Sequence, residues 1–150
     1  GLILKGSPNA VTSIEDNWVF TYIVLEEIYD FRFFYRNVGD MVERYPSLAV
    51  RFRKILAMKR MAIETVLKGL SQRGLLHVER RLRVPLVEQM VSTLTFWLSL
   101  DLIEGERRSG PQLIHDTVLQ FMLLVVPYMG APGFEALNQM LERHRLLTKG

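Results

Sequence analysis

Two long apolar stretches joined by a short polar turn constrain this chain more than any other feature. Residues 85–103 read PLVEQMVSTLTFWLSLDLI, residues 113–129 read LIHDTVLQFMLLVVPYM, and GERRSG at 105–110 separates them. A helix packed on its own domain needs one apolar stripe and keeps a polar opposite face. Here only Glu88 and Asp101 interrupt the first stretch with charge, and only Asp116 the second. Two helices apolar nearly all round, linked by a tight turn, predict a surface that waits for a partner. The simplest partner is the same hairpin from a second copy, which makes a four-helix interface on a two-fold axis. Residues expected near that axis are Trp97, Leu98, Leu102, Phe121 and Val125.

The remaining residues point to helices as well. A chain of 150 residues suits one domain, and 49% apolar residues exclude disorder. Ser13 with Asp16, or Thr12 with Glu15, forms a capping box that starts a first helix running to about Asp30. The aromatic cluster FRFFYR follows at 31–36, then a shorter helix ending at Tyr45-Pro46. The longest helix spans about 46–73, opened by Pro46 and closed by Gly74 as a left-handed cap. A basic connector at 75–84 leads to Pro85, which is expected to open the first interface helix, as Pro111 opens the second. Pro127 is expected to loosen the last turn of that second helix, and a terminal amphipathic helix carries Phe134, Leu137, Met140 and Leu141. The expectation is an all-α fold of about six helices, with an αα-hairpin forming the four-helix dimer interface.

Charge and motifs exclude more than they assign. The net charge of +3 is the difference between 19 basic and 16 acidic residues. The basic clusters at Arg51, Arg53, Lys54, Lys59 and Arg60, at Arg80, Arg81 and Arg83, and at Arg107 and Arg108 lack aromatic interleaving and read as solvated surface. No cysteine is present, and the three histidines, His77, His115 and His144, lie in separate elements without metal-ligand spacing. No metal, cofactor or catalytic constellation is expected: nucleophile-elbow, phosphate-loop and dinucleotide motifs are all missing. The longest uninterrupted apolar run, 121–129, is far shorter than the ~20 residues of a bilayer span, and the opening residues lack signal-peptide organisation. A soluble protein without a membrane partner is therefore expected.

The aromatic and methionine inventory is the one suggestive chemical feature. Trp18, Tyr22, Phe34, Tyr35, Met58, Met61 and Phe96 offer π faces, soft side chains and two hydroxyls. Ligand pockets are mostly apolar with a few polar anchors, so these seven are candidate ligand-binding residues. Periodicity alone leaves two alternatives open, a ligand cavity or a fully packed core.

The run RFFYRNVGDMVERYPSLAVRFR at 32–53 resembles the regulatory domain of TetR-family bacterial transcriptional repressors. The resemblance continues through LKGLSQRGLL at 67–76, LTFWLSL at 94–100 and VPYMGAPGFEALNQML at 126–141. It implies an N-terminal extension over residues 1–11 and a ligand-binding and dimerisation domain over 12–150. It further implies a homodimer that senses a small hydrophobic or aromatic effector. Members of the family carry an N-terminal helix-turn-helix that this sequence does not show, so specific operator binding is not expected of the sequence itself. The rival expectation is a helical protein-interaction module with no small-molecule ligand.

Overall fold

The computed structural model describes residues 7–148, with side chains through His144. The first six residues of the expected N-terminal extension lie outside the described residues. Among the described residues the chain is all-α, with seven α-helices. They are α1 (Ile14–Asp30), α2 (Arg32–Arg36), α3 (Val38–Arg44), α4 (Pro46–Gln72), α5 (Arg80–Ile103), α6 (Gly110–Leu123) and α7 (Ala131–Thr148), with 3-10 turns at Pro8–Ala10 and Val126–Tyr128. The helix beyond the six expected is α2, a single five-residue turn made from the aromatic cluster.

Local sequence sets each boundary. Ser13 caps α1 by accepting the Asp16 N–H at 3.0 Å, while the Asp16 carboxylate accepts from the Thr12 N–H and hydroxyl at 3.1 and 2.8 Å. The capping box therefore uses Ser13 and Asp16 but reaches back one residue further, to Thr12. Gly74, at φ +72°, ends α4 as expected. Its N–H reaches the Ser71 carbonyl and that of Leu75 reaches Leu70, the paired bonds of a Schellman cap.

Two boundaries differ from the sequence reading. Helix α5 begins at Arg80, so Pro85 lies inside it and not at its start. The loss of one N–H is tolerated near a helix start whose side chains are exposed, because water can satisfy the freed carbonyl. The connector shrinks to 75–79. There His77 donates its N–H to the Tyr128 carbonyl at 2.7 Å and Leu76 bridges to Met129. At the other end, α6 stops at Leu123, and Pro127 sits in the separate 3-10 turn.

One core runs through the molecule. Helix α1 packs against α6 and α7, α5 packs against α2 and α4, and the turn at Pro8–Ala10 lies on α4. Leu25 and Ile28 of α1, Leu70 of α4, Leu98 of α5, Val118 and Met122 of α6 and Met140 of α7 are all buried within it. By length and composition α5 could cross a bilayer, but half of that stretch is buried inside the protein, as in a core helix.

The five residues expected near a two-fold axis differ in their burial within the single chain. Trp97 is 7% exposed and Leu98 0%, and Phe121 and Val125 are likewise buried within the single chain. The chain's own helices cover that side of the hairpin, and Ser99 ties it down by donating to the Tyr35 carbonyl of α2 at 2.8 Å. Only Leu102 of the five is exposed. Apolar side chains also stay open to solvent on the opposite face of α5. There Phe96, Leu100 and Ile103, at steps of four and three, are 53%, 57% and 81% exposed.

Gly133 tests the junction of the connector with α7. A Cβ there would stand 2.5 Å from the Leu75 carbonyl oxygen, a backbone atom that cannot rotate away, whereas a Cβ at Gly39 would meet nothing within 4 Å. Gly133→Ala should cost about 1–3 kcal/mol in urea unfolding, while Gly39→Ala is neutral or gains up to about 1 kcal/mol. Equal stability of the two variants would contradict the close approach.

Candidate functional site

Four helices leave a small, partly open void between them. Asn17, Phe20, Thr21 and Val24 of α1 face Ile63 and Val66 of α4, Met90 and Leu94 of α5, and Phe121 of α6 across it. The three- and four-residue steps within each helix are what bring these side chains to one face. The void measures about 30 Å³, the share of a single water in the liquid. Two polar groups interrupt its apolar wall. Asn17 Nδ2 donates to Met122 Sδ at 3.3 Å, a weak acceptor, and the buried Thr21 hydroxyl has no partner among the described residues.

A wider groove opens beside it on the surface. Val38, Gly39 and Val42 of α3 form one wall, Ala49, Phe52, Arg53, Leu56 and Arg60 of α4 the floor, and Glu88, Val91, Ser92, Thr95 and Phe96 of α5 the other wall. Its volume is about 310 Å³. Cavity and groove are consecutive along the same two helices: Leu56 and Ile63 lie two turns apart on α4, and Val91 and Thr95 adjoin Met90 and Leu94 on α5. Arg60 spans the α4–α5 cleft to Glu88 with bonds of 2.7 and 3.2 Å. That paired hydrogen bond pushes the guanidinium pKa up and holds the carboxyl below its ordinary value.

The seven candidate ligand residues do not converge on one pocket. Trp18 is buried between His144, stacked at 4.9 Å, and His115, edge-on at 5.9 Å, with Tyr22 at 6.4 Å. Burial, reinforced by Glu26 and Asp116, raises the Tyr22 phenol above its usual pKa. Phe34 and Tyr35 pack edge-on against Phe52, at 5.0 and 5.9 Å, and stand behind the groove floor. Burial, with Glu27 nearby, raises the Tyr35 phenol too. Phe96 lines the groove directly. Met58 and Met61 are exposed on the outer face of α4, because Phe52, Ile63, Val66, Leu67 and Leu70 fix its inner face.

The sequence reading missed the cavity's polar pair and the partial burial of Lys59. Asn17 and Thr21 are four residues apart on the buried stripe of α1, which puts both side chains on one face. Lys59, one turn before Ile63, is half-buried; burial lowers its ammonium pKa against the opposing pull of Glu27. Two of the three histidines, His115 and His144, meet at Trp18, yet the described residues hold no group of three metal-ligating side chains.

A family model described as TetR, bacterial transcriptional repressor, matches residues 3–137. The chain belongs to the TetR family. It is thereby grouped with transcriptional regulators and not with an enzyme family, and no curated protein matches it. In this TetR-family chain the α5–α6 hairpin and the cavity beneath it lie inside the matched residues.

Thr21 offers the sharpest check on the cavity. Val keeps its shape and removes the hydroxyl that is buried without a bond. Thr21→Val should leave stability unchanged or raise it by about 1 kcal/mol in denaturant unfolding. A loss above about 1 kcal/mol would mean that the hydroxyl is bonded in the folded protein.

Proposed function

We propose that this chain is the effector-sensing and dimer-forming part of a TetR-family regulator, and that its effector is a small, mostly apolar molecule held among α1, α4, α5 and α6. The observation that carries the reading is the unpartnered Thr21 hydroxyl, buried beside Asn17 in an otherwise apolar cavity. A buried hydroxyl without a bond costs stability, and a ligand with one polar atom would remove that cost. Such a ligand needs more than the 30 Å³ present, so binding moves α4 and α5 apart. The effector acts by its differential affinity for two arrangements of these helices, since equal affinity would shift nothing.

The outer face of α5 carries the assembly in this reading. Phe96, Leu100 and Ile103 meet their equivalents across a two-fold axis, with Leu102 at the edge. A change in the α4–α5 spacing then alters the angle between protomers. DNA reading falls to a helix-turn-helix outside the described helices, and the protein works in the bacterial cytoplasm where its operator lies. One observation favours the alternative, an interaction module with no ligand: the cavity holds little more than one water.

Two experiments separate these readings. A thermal-shift screen of small apolar compounds with one polar atom should give stabilisers, each adding about 2.7 kcal/mol at a hundred times its Kd. Leu94→Phe fills the cavity and should abolish those shifts. Shifts unchanged in Leu94→Phe would place the ligand elsewhere, and no shift with any compound would favour the interaction module. For assembly, light scattering should return a dimer mass for the parent chain and a monomer mass for Leu100→Glu/Ile103→Glu, which puts charge into an apolar contact. A double variant that remains dimeric would contradict the assignment of this face.

A further inference from the structure

The α3–α4–α5 groove is ten times the volume of the central cavity, and its chemistry is different. Its floor and walls are apolar at Val38, Val42, Phe52, Leu56 and Val91. Two guanidiniums stand along one side. Arg60 is already engaged by Glu88, but Arg53 has no ion pair or hydrogen bond among the described residues. At about 310 Å³ the groove is at the lower end of small-molecule sites, and its wall is open at Gly39, where an added Cβ would meet nothing within 4 Å. An apolar trough beside one unpaired cation is complementary to a molecule with a hydrophobic body and one negative end.

We propose that this groove is a second ligand site, distinct from the central cavity, that takes a small hydrophobic carboxylate with its chain on Phe52, Leu56 and Val91 and its carboxylate on Arg53. The planar fork of Arg suits a carboxylate in bidentate geometry. Glu88 is the built-in competitor. It occupies the neighbouring Arg60, so a bound acid is drawn to Arg53 and repelled from the cleft by the Glu88 charge. The site does not require that the cavity bind anything, because none of the cavity-lining residues contributes to it.

Isothermal titration of the full chain with octanoate and with octanol tests the assignment. Octanoate should bind once per chain, and octanol, which lacks the charge, about tenfold or more weaker. Arg53→Gln should weaken octanoate by about tenfold and bring it level with octanol. Glu88→Gln should tighten octanoate several-fold, since it frees Arg60 and removes the repelling charge. Gly39→Leu and, separately, Ser92→Phe should block the groove from opposite walls, so the result does not depend on one variant folding. Thr21→Val should leave octanoate binding unchanged. The proposal fails if octanoate and octanol bind alike, if neither Arg53→Gln nor the two groove-filling variants alters octanoate binding, or if octanoate does not bind at millimolar concentration. It also fails if the filling variants change the oligomeric mass and not the octanoate affinity, because the groove would then be a contact between copies.

Discussion

The way α5 divides its apolar surface is the constraint on which the rest of the structure depends. One face, carrying Leu86, Met90, Leu94 and Leu98, is buried in the core. The opposite face leaves Phe96, Leu100 and Ile103 to solvent. Between them, Val91 and Thr95 turn toward α4 and help line the groove. A helix of this kind cannot move without changing every surface it touches. Core, cavity, groove and outer face therefore all meet on one helix.

The interior records a second constraint, the placing of polar groups in apolar surroundings. Most buried polar groups in proteins are satisfied, and Thr95 and Thr117 here follow the rule by donating to carbonyls one turn back at 2.7 and 2.8 Å. Thr21, on an equally regular helix, does not. The difference is that Thr21 faces a space where packing is incomplete. A buried hydroxyl without a bond is a cost that the folded protein carries.

Helix content, the αα-hairpin, the Ser13–Asp16 cap and the Gly74 terminator were legible in the sequence because each depends on local chemistry. The family resemblance carried by the runs at 32–53 and 126–141 agrees with the family match over 3–137. What the sequence did not reveal is which apolar face of a two-sided helix turns inward. Trp97 and Leu98 were expected near a subunit axis because the charges of 85–103 are too sparse to mark a polar face, and within the single chain both are buried. Met58 and Met61 were read toward a pocket from their chemistry, although the stripe through Phe52, Ile63 and Leu70 turns them away. Conversely, Asn17 and Thr21 gave a readable signal, two polar residues one turn apart in a buried stripe, that an inventory of aromatic residues passes over.

In the proposed reading an apolar effector enters among α1, α4, α5 and α6 and is felt first by the helices lining that space. Hydrogen–deuterium exchange, with and without a compound that raises the melting temperature, tests it most directly. The account predicts slowed amide exchange around residues 17–24 of α1 and 90–94 of α5, with α7 unaffected. Protection confined to the outer face of α4 around Met58 and Met61, or spread evenly over all helices, would contradict it.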